Sequence, residues 1–289
     1  MKPLVVKFGG ELLEDGTHLA TVVESIARVT RNGRPVVVVH GGGKEIDTAL
    51  KAAGIEKRQV DGLRITDAAT LDVVVAVLAG TVNTRFVAAL NAAAVPAVGL
   101  TGADGLCGLS TPAAPHRTID SRIVDLGRVG IPDRAADVRL LQRLTGDGFV
   151  PVIASIGITR DGQLLNVNAD TLAGDLAARL GAERLVIAGT TPGVLDAAGA
   201  TLPKVGGAAL AALVADGTAT AGMIAKLRAC EHAIGGGVDA VVIVDGRDSA
   251  ALDAAATSSA PPRGTLITAT PNGAPRPTGP DALSSVGHR

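Results

Sequence analysis

The chain of 289 residues contains no Trp and no Tyr, only three Phe and only two Cys. Three phenylalanines are too few for the aromatic platforms on which unpaired bases stack. A formal net charge of -1, from 27 Lys and Arg against 28 Asp and Glu, offers no general attraction to a phosphate backbone. Nucleic acid is therefore not an expected partner. Cys107 and Cys230 have no CxxC partner and no His/Cys cluster around them, so they predict two small buried side chains rather than a zinc site or a disulfide framework. No apolar run is expected to approach the roughly 18 residues that span a bilayer, and the start at Met1 lacks the apolar stretch and cleavage site of a secretion signal. A membrane is not an expected partner either, and the expected location is the cytoplasm.

What is present is apolar aliphatic content: 47% of residues are hydrophobic and 19% charged, which describes a globular chain with ample core. Short Val/Ile-rich runs at 4–8, 36–39, 95–100, 149–154, 185–188, 240–245 and 265–268 read as strands buried on both faces. Segments 17–30, 44–53, 67–79, 82–93, 133–144, 170–180, 207–215 and 223–234 carry apolar residues three and four apart and read as helices. Thr66 supplies an N-cap with Asp67 in the first turn, and Gly181 supplies a stop. This alternation predicts an α/β protein with a mostly parallel central sheet and helices on both faces. The Gly- and Pro-rich stretch 102–122 interrupts the pattern as a hairpin or loop excursion, and 270–289 reads as a disordered tail.

Two strand ends run into glycine: Lys7-Phe8-Gly9-Gly10, and His40-Gly41-Gly42-Gly43 just before a helix. In an open parallel sheet the carboxyl ends of the strands form the ligand crevice. Glycine there lets backbone N–H groups approach an anion, and a helix start adds its positive dipole end. Either cluster alone is compatible with a tight turn; together they predict an anion-binding crevice. It is not a P-loop, because GxxxxGK[ST] occurs nowhere. The GxGxxA match at 235–240 precedes a strand instead of following one and reads as a helix stop. Asn166, Asn168 and Asp170 would share one face in an extended approach, although Asp170 taken alone reads first as a simple helix N-cap. Lys226 follows a glycine bend at Gly222 and is either a site cation or a surface lysine.

These segments, in this order, resemble the amino acid kinase family. The resemblance rests on Lys7-Phe8-Gly9-Gly10, Val39-His40-Gly41-Gly42-Gly43, the segments 61–66, 79–83, 99–105, 125–130 and 155–157, Asn166-Val167-Asn168-Ala169-Asp170, and Gly222-Met223-Ile224-Ala225-Lys226, spanning roughly 4 to 269. It implies an αβα sandwich over residues 1–269, with an acyl amino acid lobe to about 165 and an ATP lobe from about 166. Within the family, the resemblance is to members that phosphorylate the side-chain carboxylate of N-acetyl-L-glutamate with ATP. N-succinylglutamate and N-acetyl-2-aminoadipate are alternative acceptors, and a non-catalytic nucleotide-binding regulator is an alternative of another class. The implied catalytic set is Lys7, Gly10, Asp170 and Lys226, with Asp170 holding the two lysines. Gly42, Gly43, Arg64 and Asn166 are implied at the substrate, and Thr190, Thr191, Gly193, Leu195, Thr218, Thr220, Gly222 and Met223 at the nucleotide. Thr190 stands where the family usually has an acid, which implies weaker nucleotide binding. No protein metal site is implied, because magnesium arrives on ATP. With only six residues before Lys7, the resemblance implies a homodimer insensitive to arginine rather than a ring of interlaced dimers.

Overall fold

The computed structural model describes residues 1–118, 120–196, 198–216, 221–257 and 263–269. In chain order the elements are β1 Leu4–Phe8, α1 Glu11–Glu14, α2 Gly16–Arg31, β2 Val36–His40, α3 Gly43–Ala52, β3 Gln59–Val60, β4 Leu63–Arg64, α4 Ala68–Val75 and, beyond a π-helical segment Ala76–Val82, α5 Asn83–Ala92. There follow β5 Ala97–Thr101, β6 Ser110–Pro112, β7 His116–Arg117, β8 Ile123–Val124, β9 Val129–Pro132, α6 Arg139–Gly146, β10 Val150–Ala154, β11 Ile156–Ile158 and β12 Leu164–Val167. The remainder is α7 Ala169–Arg179, β13 Arg184–Gly189, β14 Lys204–Gly206, α8 Gly207–Asp216, α9 Ala221–Gly235, β15 Ala240–Asp245, α10 Ser249–Thr257 and β16 Thr265–Thr268.

Eight strands form one sheet in the order β14-β16-β15-β13-β1-β2-β10-β5, parallel throughout except where β15 meets β16. The Val-rich strands are buried on both faces because a separate core lies on each side. Val36, Val38 and Phe8 join one core with Leu78, Phe86 and Leu90, while Val5, Val37 and Val39 join the other with Leu172, Leu176 and Leu227. A four-stranded sheet, β11-β12-β9-β6, carries the excursion expected from the Gly- and Pro-rich stretch. Cys107 and Cys230 are both buried and unpaired, and burial pushes the Cys107 thiol up to about 12.

Several expectations are corrected. The two helices expected at 67–79 and 82–93 are one continuous helix, Ala68–Ala92, because the π turn carries the chain through Gly80 and Thr81 without a break. At 25 residues it meets the length and composition of a spanning segment, so the expectation of no such apolar run fails. Its Leu71, Val74, Leu78, Val82, Phe86 and Leu90 are buried against the sheet, as in a core helix. Asp67, not Thr66, is the N-cap: its carboxylate accepts from Thr70 N at 2.8 Å. The helix expected from 133 starts at Arg139, because the Asp133 and Asp137 side chains bind nearby backbone N–H groups and hold 133–138 in turns. The tail expected at 270–289 lies outside the described residues.

Candidate active site

Neighbouring strands bring the two glycine turns together. Lys7 pairs with Val39 and Phe8 with His40, so both chains leave the sheet side by side. They pass so closely that a Cβ on Gly10 would lie 2.5 Å from Gly42 Cα. Glycine at Gly10 is thus a packing requirement of this close approach. The start of α3 at Gly43 and the start of α7 at Ala169 face the same crevice of about 290 Å3, lined among others by Gly9, Gly10, Gly42, Ser155, Asn166 and Asn168. An adjoining, mostly apolar cleft of about 490 Å3 shares Leu63, Val129 and Asn168 with it.

At the crevice floor Asp170 sits between two lysines, with Lys7 Nζ 2.9 Å from Oδ1 and Lys226 Nζ 3.7 Å from Oδ2. The Lys7 and Asp170 side chains are 8% and 6% exposed, while Lys226 at 19% reaches toward solvent. Burial by itself raises the Asp170 carboxyl, but the two ammonium groups outweigh it and hold it below the usual carboxylate value. Asp170 therefore remains an anion and leaves one net positive charge on the triad. Its place follows from local structure: Asn168 caps α7, its Oδ1 accepting from Asp170 N at 2.9 Å and Thr171 N at 3.1 Å. That overturns the reading of Asp170 as the cap, which would have turned its carboxylate back onto its own helix.

Arg64, on the β3-β4 hairpin, is held by Asp47 from α3 and donates to Gly43 O at 3.3 Å through Nη2. Its Nη1 is buried with no hydrogen-bond partner among the described residues. A buried unpaired donor of this kind is costly and suits a ligand carboxylate. Asn166 donates from Nδ2 to Thr66 Oγ1 at 3.1 Å. Lys7, Gly10, Gly42, Gly43, Arg64, Asn166, Asp170 and Lys226 thus line one crevice.

The expected nucleotide residues are only partly assembled. Thr190, Thr191, Gly193 and Leu195 follow β13, next to β1, outside that lining. Gly193 has φ +147 and lies where a Cβ would be 2.5 Å from Thr265 Oγ1, a structural need for glycine. Thr190 O accepts from Arg247 Nη2 at 3.1 Å, and Thr191 Oγ1 is buried without a hydrogen-bond partner among the described residues. Gly222 and Met223 open α9, the helix of Lys226. Thr218 and Thr220 lie outside the described residues.

Sequence reasoning missed Glu11, whose carboxylate covers Gly9 and leaves only 2.6 Å for a Cβ there, and Asp47, which anchors Arg64. Asp47 follows the helix start at Gly43 by one turn and carried no signal of its own. Glu11 was legible only as the residue after a glycine pair. His40 is fully buried, lies outside the crevice lining, and burial pushes its imidazole down to about 4.

A family model described as the amino acid kinase family matches residues 2–245, and the chain belongs to that family. Among its relatives, an acetylglutamate kinase of Granulibacter bethesdensis is 46% identical over 250 residues, covering 84% of this chain and 83% of the relative. One of Novosphingobium aromaticivorans is 42% identical over 255 residues, covering 85% and 84%. Among solved structures, N-acetylglutamate synthase from Neisseria gonorrhoeae, complexed with coenzyme A and N-acetyl-glutamate, is similar at TM-score 0.78 and 26% identity. The match covers 92% of this chain and 59% of the synthase, so the chain spans about three fifths of it. Carbamate kinase from Giardia lamblia, at TM-score 0.64 and 15% identity over 93% of this chain and 98% of that one, shares the fold.

Proposed function

We propose that the chain is an ATP-dependent kinase that phosphorylates the side-chain carboxylate of N-acetyl-L-glutamate, giving the acyl phosphate and ADP, in arginine biosynthesis. The reading is supported above all by Asp170 between Lys7 and Lys226 in the same crevice as the unpaired Nη1 of Arg64. The relatives named acetylglutamate kinase favour this acceptor over N-succinylglutamate or N-acetyl-2-aminoadipate, and favour an enzyme over a regulator.

In this reading a substrate carboxylate oxygen attacks the terminal phosphorus of ATP, the new O–P bond forms, the bond to the β-phosphate oxygen breaks, and ADP leaves. Lys7 and Lys226 meet the charge on the transferring group, and Asp170 fixes both. Backbone N–H groups at Gly10 and Gly42 add donors, Gly43 lines the acceptor site, Arg64 grips the α-carboxylate, and Asn166 meets the acylated amino group. A carboxylate with a solution pKa near 4.3 is already ionised at neutral pH, so no general base is required. Magnesium bound to the phosphates supplies further charge neutralisation. The carboxylates lining the crevice are Glu11 and the lysine-paired Asp170, a donor set that suits a cation carried mainly by nucleotide oxygens. Thr190, Thr191, Gly193, Leu195, Thr218, Thr220, Gly222 and Met223 are assigned to the nucleotide, residues to about 165 to the acyl amino acid lobe, and 166–269 to the ATP lobe.

A cytoplasmic homodimer completes the reading. It is supported by the exposed small side chains Ala76, Thr84 and Ala88 with Gly80 on the long helix, beside the edge strand β5, a face on which a second copy could pack closely. ADP release measured with the three acyl amino diacids tests the function. N-acetyl-L-glutamate is expected to give the highest kcat/KM, and turnover of none of them would overturn the reading.

A further inference from the structure

We propose that Asn83 and His40 form a positioning pair that sets the Gly41–Gly43 donors against the transferring phosphoryl group. The inference rests on the phosphoryl-transfer reading above, but its geometry stands apart from it.

β2 ends at His40, and the first glycine of the loop is the next residue. His40 Nδ1 lies 3.2 Å from Gly41 O, and its Nε2 lies 3.1 Å from Asn83 Nδ2. One assignment of protons satisfies both contacts: Nδ1 donates to the Gly41 carbonyl, and Nε2 accepts from the amide. The two hydrogens of the Asn83 amide nitrogen are shared among His40 Nε2, Val152 O at 2.9 Å and Leu100 O at 3.3 Å, one of them in a three-centre bond. One side chain therefore ties together the carboxyl-end region of β2, β10 and β5, three adjacent strands at the crevice edge. Both residues are buried, His40 at 0% and Asn83 at 4% exposure. Burial also keeps the imidazole neutral near pH 7, which preserves its acceptor. Gly99 makes room for the amide: a Cβ there would lie 2.2 Å from Asn83 Oδ1.

The π-helical turn explains how one helix reaches the loop twice. Asn83 N donates to Leu78 O, five residues back. In an α-helix a residue five further on is turned by about 140°, whereas π geometry brings it almost back into line. Leu78 and Asn83 can then both face the sheet. A Cβ on Gly42 would lie 2.8 Å from Leu78 Cδ2 and 3.3 Å from Val82 Cγ2, so the same turn packs on the middle glycine. Gly42 in turn abuts Gly10. The helix thus fixes the loop through a hydrogen bond at one end and apolar contact in the middle.

The test uses the full chain and three variants. Asn83→Asp keeps the shape and removes the donors, His40→Gln keeps an acceptor near Nε2 but loses the Nδ1 donor, and Leu90→Ala cuts a cavity on the same helix away from the loop. If the pair positions the loop, Asn83→Asp and His40→Gln should each lower kcat about 100-fold, with KM for ATP and for the acyl amino acid changed less than about threefold. The backbone ¹⁵N–¹H signals of Gly41, Gly42 and Gly43 should move in both. Leu90→Ala should lower the melting temperature while leaving kcat and those signals in place. Wild-type kcat in a folded Asn83→Asp or His40→Gln, or unmoved glycine signals, would overturn the proposal. Should neither variant fold, ¹⁵N signals of His40 in the wild type decide it: the proton must sit on Nδ1, and an Nε2–H tautomer sinks the idea. If the wild type did not phosphorylate N-acetyl-L-glutamate, the function would fail while the tautomer and glycine signals still judged the pair.

Discussion

At the scale of single residues, the crevice separates groups acting on the transferring charge from groups that hold the acceptor. Lys7→Ala, Asp170→Ala and Lys226→Ala are each expected to lower kcat by orders of magnitude with smaller effects on KM, because their charges matter most as negative charge redistributes. Asp170→Ala should be the harshest on folding as well, since it leaves Lys7 buried without its counter-charge at 2.9 Å. Arg64→Lys should instead raise KM for the acyl amino acid, because an ammonium cannot replace the fork that serves Asp47 with Nη2 and keeps Nη1 for a ligand. Steady-state kinetics with both substrates varied would separate these patterns. Thr190→Asp is expected to lower KM for ATP about tenfold, the worth of one charge-assisted hydrogen bond of about 1.5 kcal/mol. Asp245 already engages Arg247 there, which leaves an added carboxylate for a nucleotide donor. An unchanged ATP KM at saturating acyl amino acid would remove Thr190 from the nucleotide site.

At the scale of elements, strand ends carried most of what was legible. Lys7 and His40 could be placed at one sheet edge because Val-rich runs stop abruptly at glycines, and burial on both faces leaves no period to misread. What the chain hid was the register between elements. Nothing local distinguishes Asn168 from Asp170 as the cap of α7, since both side chains can accept from N–H groups two or three residues on. The choice is made by Lys7 and Lys226, distant in sequence, which claim the Asp170 carboxylate. The π turn was equally invisible, for Gly80 reads as a break unless Leu78 and Val82 are known to pack on Gly42 and Asn83 to have partners in β2, β5 and β10. The cap assignment is testable alone. Asn168→Ala should cost about 1 kcal/mol and a few degrees of melting temperature, with a loss of kcat as the start of α7 frays around Asp170. A thermal melt that does not move would return the cap to another residue.

At the scale of the whole molecule, one sheet joins both halves, so a buried titrating group inside it reports on global unfolding. His40 is such a group, enclosed between β2 and the long helix against the edge of Phe86. Its folded value of about 4 lies below the ordinary 6.5, chiefly through desolvation, with Arg85 adding to the effect and the Gly41 carbonyl opposing it. Between those two values the unfolded chain binds the proton and the folded chain does not. The folded state is therefore fully favoured above pH 6.5 and loses that advantage as pH falls toward 4, by about 2 kcal/mol when pH 5 is reached. The depressed carboxyl of Asp170 works lower on the scale: its contribution is present above the ordinary 3.8 and is lost below it, so it leaves the interval from 7.5 to 5 largely untouched. Urea unfolding of the wild type and of His40→Gln at pH 7.5 and pH 5 isolates the term, because every other histidine is common to both proteins. The wild type should lose about 2 kcal/mol more than the variant on that acidification. Equal losses would mean that His40 is solvated or already shares a proton in the native state, and that the buried acceptor for Asn83 does not exist.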